Sequence, residues 1–148
     1  HPTEHALVAD ALAVYDRLRE KHAEISVLGR SLGSGVAVQF ASRRDVPRLV
    51  LLTPFDSLAR VARDQLRWVP VGLLLRDRFD STERVPTISA ESLVVIAGSD
   101  EVIPRARTDA LVAAFHVRPR TVLLEGATHN NVDLDPHYLD ELAMFLAR

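Results

Sequence analysis

The stretch Gly29-Arg30-Ser31-Leu32-Gly33 sets a serine between two glycines in the pattern G-x-S-x-G. A serine hydroxyl is a poor nucleophile near neutral pH, and this pattern matters only where a sharp strand-to-helix turn lifts the hydroxyl clear of a sheet. That context is present. The branched apolar run Ile25 to Leu28 reads as a strand ahead of the turn, and Val36, Ala37, Phe40 and Ala41 continue at helical spacing after it. The turn holds the serine in a strained backbone conformation and crowds the positions two before and two after, where only small residues fit. A helix starting after Ser31 aims its first amides at the same spot, which makes the Leu32 N–H the candidate donor to a tetrahedral oxyanion. Neither G-x-G-x-x-G nor G-x-x-x-x-G-K-[ST] can be laid over Gly29 to Val36, so a phosphate cradle does not fit.

A nucleophilic serine needs a base and an acid, and in this context they follow in the order Ser, Asp or Glu, His. His129 comes after the predicted strand Val122 to Leu124 through Gly126-Ala127-Thr128, and Asp100 comes after the predicted strand Leu93 to Ala97 through Gly98-Ser99. Parallel strands would bring all three loops to one end of a sheet. Of the other histidines, His5 and His22 fall on or beside the first helix and His116 ends another, where they face solvent, while His1 and His137 also compete. Glu101 would point away from the site. Asp56, after the strand Leu49 to Leu52, is the rival acid; the preferred reading makes it the cap of a helix carrying Leu58 and Val61.

Two further groupings have plainer explanations. His129, Asp133, Asp135 and His137 supply metal-type donors within a short stretch, but Asp135-Pro136 already explains itself as a helix start and no complementary cluster occurs elsewhere. Leu73, Leu74, Leu75 and Phe79 could line an acyl pocket, although apolar residues in such a segment more often pack it down. No cofactor and no metal are called for.

The elements that must position these residues are legible from periodicity. A first helix runs on Leu7, Ala11, Val14, Tyr15 and Leu18 with Thr3 as its cap; later helices run on Ala106, Ala110, Leu111 and Ala114 and on Leu139, Leu142, Ala143 and Leu146. Alternation with four apolar strand runs predicts an α/β fold, a parallel sheet flanked by helices, with runs lacking polar alternation covered on both faces. Residues 54–91 interrupt the rhythm and are expected to form a short cap-like insertion within one domain spanning 1–148.

Composition narrows the function classes. The 148 residues, 47% hydrophobic and 26% charged, can bury a core without disulfide or metal. The absence of cysteine excludes a thiol nucleophile and a thiolate zinc site. With 20 acidic against 18 basic residues and Lys21 the single lysine, nothing favours nucleic acid. No apolar run is long enough to span a bilayer, and the chain opens at His1 directly into helical pattern without a signal-peptide pattern, which suggests an N-terminal truncation; a soluble, cytoplasmic protein is favoured, but the location stays unknown because the region that could carry a signal or anchor is absent.

Gly29-Arg30-Ser31-Leu32-Gly33-Ser34-Gly35, Thr53-Pro54-Phe55-Asp56-Ser57, Asp100-Glu101-Val102-Ile103-Pro104 and His129-Asn130-Asn131, in that order, resemble the α/β-hydrolases and within them the abhydrolase-domain group of serine acyl hydrolases. The resemblance covers essentially the whole chain. It implies Ser31 as nucleophile, Asp100 as acid, His129 as base and Leu32 as one oxyanion amide, acting on small-molecule or lipid esters or thioesters. An acyltransferase would use the same residues, and a non-catalytic interaction domain would keep the fold without a competent site. The family sheet is larger, so the chain corresponds to its C-terminal part. A second oxyanion amide, supplied in the family by an early-strand loop, is then expected to be missing, and Ile25 to Leu28 becomes an open edge prone to self-association.

Overall fold

The computed structural model describes residues 3–66, 68 and 75–147. Thr3 caps helix α1 (Glu4–Arg19) by accepting a hydrogen bond from the Ala6 amide, as its place before the apolar stripe predicts. Strand β1 (Val27–Arg30) then runs into the serine turn, two residues later than the apolar run suggested. Pairing is the reason: Gly29 and Arg30 lie opposite Leu51 and Leu52, so the ladder rather than hydropathy decides where the strand ends. Next come α2 (Leu32–Ala41), β2 (Arg48–Leu52), α3 (Leu58–Gln65) and 3-10 turns at Ser81–Glu83 and Val85–Thr87. They are followed by β3 (Glu91–Ala97), α4 (Arg105–Ala114), β4 (Arg120–Leu124), a 3-10 turn at Val132–Leu134 and α5 (Pro136–Leu146).

All pairings are parallel and the strand order is β1-β2-β3-β4, so every strand ends on the same side of the sheet. Parallel neighbours require crossover connections, and the helices supply them. Leu49, Leu51, Val94 and Ile96 point into one cluster with Tyr15 of α1, Val38 and Phe40 of α2 and Leu111 of α4. Val50, Leu52, Leu93, Val95 and Ala97 point into the other, closed by Tyr138 and Phe145 of α5. Burial of β2 and β3 on both faces accounts for their unbroken apolar runs, each full burial of a Leu or Val being worth about 1.5–3 kcal/mol.

The outer strands behave differently. On β4 Leu123 is exposed, and beside β1 the side chains of Val14, Leu18 and Leu28 are exposed. Two of the five residues of the predicted apolar stripe of α1, Val14 and Leu18, are therefore uncovered, while Val8, outside that stripe, is buried. No helix among the described residues is long and apolar enough to cross a membrane.

Within residues 54–91, helix α3 leaves the sheet and the chain returns to close on itself. The Asp56 carbonyl accepts from the Ser81 and Thr82 amides, the Arg78 carbonyl accepts from Leu58, and the Glu4 carboxylate accepts from the amides of Arg78 and Phe79. Phe79 is buried with Phe55, Val61 and Ile103, and its ring lies 2.9 Å from where a Cβ on Gly35 would sit. It packs the segment against α2. Leu75 is half-buried, and Leu73 and Leu74 lie outside the described residues.

Candidate active site

Ser31 sits between β1 and α2 with φ 49° and ψ −122°, a left-handed conformation that a non-glycine residue adopts only under constraint. The constraint is visible. The Ser31 amide continues the sheet ladder to the Leu52 carbonyl at 2.9 Å, and its own carbonyl accepts from the Ser34 amide at 2.8 Å and the Ser34 hydroxyl at 2.6 Å. A Cβ on Gly29 would lie 2.4 Å from the Gly33 carbonyl oxygen and 2.6 Å from the Ala37 Cβ, so the strand can approach the helix only through glycine. The expectation of crowding at Gly33 is corrected: a Cβ there meets nothing within 4 Å, because that position faces outward from the turn. The Leu32 amide stands at the first residue of α2, where helix geometry offers it no intrahelical acceptor.

The structure brings Ser31, His129 and Asp100 together. His129 Nε2 lies 2.9 Å from Ser31 Oγ, and His129 Nδ1 lies 2.9 Å and 3.1 Å from the two Asp100 oxygens. Both members of the His129–Asp100 pair are almost wholly buried. Asp100 is aimed by its own loop, since Oδ1 also accepts from the Val102 and Ile103 amides at 2.9 Å and 2.8 Å. That loop is pinned beside β4 because Gly98 donates to the Leu124 carbonyl and Ser99 to that of Ala127. A Cβ on Gly98 would meet the Glu125 oxygen at 2.5 Å, so this glycine sets the approach of the two loops.

The competing residues go elsewhere. Asp56 is fully buried, and its carboxylate is held by Arg60 at 3.0 Å and Arg107 at 3.1 Å rather than by an imidazole. Its reading as a helix cap is also corrected: Ser57 is the N-cap of α3, and Asp56 Oδ1 accepts only the Ser57 amide while the other oxygen ties α3 to α4. An arginine pair outcompetes a single amide for a buried carboxylate. His5, His22, His116 and His137 are exposed, and His1 lies outside the described residues. Glu101 does not point away as expected, since its carboxylate accepts from the His129 backbone amide at 3.4 Å.

The residues considered for metal have other partners: Asp133 pairs with Arg30, Asp135 caps α5 through the His137 amide, and the exposed His137 ring lies 3.3 Å from Asp135 Oδ1. Among the described residues, no three His, Asp or Glu side chains are grouped to hold an ion. Sequence reasoning missed Arg30, whose guanidinium donates to the carbonyls of His129 and Asn130 at 3.1 Å and 3.3 Å. The motif leaves that position free, so the sequence carries no signal for it.

No family model matches the chain. It is 39% identical over 147 residues to an uncharacterized protein of Mycobacterium tuberculosis, covering 97% of this chain and 51% of that one. It is 31% identical over 151 residues to an alpha/beta hydrolase domain-containing protein of Caenorhabditis elegans, covering 98% of this chain and 44% of that one. Among solved structures, an esterase from Exiguobacterium antarcticum superposes with a TM-score of 0.75 at 15% identity, covering 99% of this chain and 74% of that one. The chain thus spans about half the length of the relatives it matches. Sequence kinship over nearly the whole chain and a shared parallel sheet lead to the same place: the chain has the α/β-hydrolase fold and is similar to alpha/beta hydrolase domain-containing proteins.

Proposed function

We propose that this chain carries the catalytic triad of a serine acyl hydrolase acting on carboxylic esters or thioesters. The observation that carries the reading is the unbroken hydrogen-bonded series from Ser31 Oγ through the His129 imidazole to the Asp100 carboxylate. Ser31 Oγ bonds to the substrate carbonyl carbon as His129 Nε2 takes the hydroxyl proton, and the carbonyl π electrons move to oxygen. The Leu32 amide donates to that oxyanion at the N-terminus of α2. Collapse breaks the bond to the alkoxide or thiolate, which leaves with the proton from Nε2. Water, deprotonated by the same nitrogen, then attacks the acyl-enzyme and restores Ser31. Asp100 holds the Nδ1–H tautomer and balances the imidazolium charge throughout.

The sheet as described leaves β1 paired on one side only, next to the exposed Val14, Leu18 and Leu28. We propose that a second oxyanion donor, if the site uses one, comes from sequence beyond these residues, and that the open edge self-associates in their absence. The direct test of the catalytic reading is a fluorophosphonate probe with mapping of the modified peptide. Stoichiometric labelling at Ser31 of the folded protein is expected; folded protein that does not label would make it a non-catalytic protein with this fold.

A further inference from the structure

Ser31 follows β1 and His129 follows β4, the two outer strands of the sheet. With strands about 4.8 Å apart, the histidine loop must reach across about 14 Å to meet the serine. A loop that long holds its tip to hydrogen-bond accuracy only if the tip itself is fastened. We infer that Arg30 is the positioning residue that fastens it, binding the histidine loop to the nucleophile turn from the position next to Ser31.

The contacts are specific. Arg30 Nη2 donates to the His129 carbonyl at 3.1 Å and the Asn130 carbonyl at 3.3 Å, and Nη1 pairs with Asp133 Oδ2 at 3.3 Å. The far side of the loop is stiffened by the Asn131 side chain accepting from the Thr128 amide at 2.7 Å, and by Leu134 donating to the Asn131 carbonyl. Tyr138, whose phenol is pushed up by burial and then by the Asp133 carboxylate, with Arg30 opposing, borders the same pair. A guanidinium fork serves several acceptors in one plane from a fixed geometry, whereas a lysine ammonium acts as a point charge without that fork. Because Arg30 ends the strand whose next residue is Ser31, each of its bonds registers the base directly against the nucleophile.

This inference rests on the acyl-hydrolase reading, and its test separates the two. The intact protein and the variants Arg30→Met, Arg30→Lys and Asp133→Asn are compared by rate of fluorophosphonate labelling, turnover of p-nitrophenyl acetate and the downfield Nδ1–H proton signal of His129. Since misplacement by about 1 Å can cost about 10²-fold, Arg30→Met is expected to lower kcat by about tenfold to a hundredfold. KM should stay within about twofold, because the interaction is with the catalytic base and not with substrate. Labelling should slow in step and the Nδ1–H signal broaden. Arg30→Lys recovers part of the loss, and Asp133→Asn, which removes one anchor, has a smaller effect. If Arg30→Met does not fold, the order of the other two variants decides. A lowered melting midpoint with unchanged kcat per folded molecule and an unchanged Nδ1–H signal would overturn the inference. Wild type that never labels at Ser31 would instead overturn the hydrolase reading beneath it.

Discussion

Ser31 Oγ lies 2.9 Å from His129 Nε2 although the two residues are 98 positions apart and follow opposite edges of the sheet. The parallel sheet makes this possible by ending every strand on one side, and the loop after β4 then spans the ends of β3 and β2. Ser31, Asp100 and His129 thus come from the ends of β1, β3 and β4, and ladder bonds that continue past the strands tie neighbouring strand ends together across the sheet: Ser31 to Leu52, Thr53 to Val95 and Gly98 to Leu124.

Ser31→Ala and His129→Ala are each expected to abolish nearly all ester hydrolysis, and the double variant to be scarcely worse, because the groups act as a unit. Asp100→Asn should lower kcat by about 10⁴-fold by removing the charge that fixes the Nδ1–H tautomer. Steady-state turnover of a p-nitrophenyl ester checks all of these. Additive losses in the double variant would mean that the serine and histidine do not share one step.

Asp56→Asn separates the two acids. Arg60 would lose its counter-charge while Arg107 keeps Asp64 at 3.1 Å, and both retain solvent, being 47% and 24% exposed, so the expected cost is about 1–3 kcal/mol of stability. Urea denaturation measures that loss, and turnover per folded molecule should change little. A folded Asp56→Asn protein with crippled turnover would instead make Asp56 the acid.

The motif glycines should respond unequally. Gly29→Ala drives a Cβ to 2.4 Å from the Gly33 oxygen and should distort the serine turn, with overpacking costs of about 1–3 kcal/mol or more. Gly33→Ala meets open space at the start of a helix and should be neutral or stabilising by up to about 1 kcal/mol. Thermal melts of both, with labelling at Ser31, check the contrast. Equal destabilisation would show that Gly33 is crowded after all.

The open β1 edge gives a prediction about association. Residues 1–148 alone should self-associate in sedimentation velocity, and Leu28→Lys, which places a charge beside that edge, should shift the population towards monomer. A version extended N-terminally with the corresponding segment of a longer relative should raise turnover by about 10²–10³ through a second oxyanion donor. A monodisperse short chain with turnover equal to the long one would remove both proposals.

Much of this was legible in order and spacing. The pattern around Ser31 states its own requirement for a strand before and a helix after, and unbroken runs such as Leu49 to Leu52 and Leu93 to Ala97 disclose burial on both faces without any neighbour being known. Strand-then-acid and strand-then-histidine in the right order reduced six histidines to His129, because a parallel sheet allows only one end for all such loops.

Tertiary structure decided what depends on partners distant in sequence. Asp56 looked like a helix cap because local pattern cannot reveal that Arg107, 51 residues on, reaches the same carboxylate. Gly33 looked crowded because the motif is symmetric, whereas the Cβ direction at each position is not. The exposure of Val14 and Leu18 on the α1 stripe, and of Leu28, could not be read from periodicity, which reports an apolar face but not whether anything lies against it. Arg30 drew no notice for a similar reason: the motif leaves its position free, and only the folded loop, brought across the sheet from β4, gives its guanidinium carbonyls to hold.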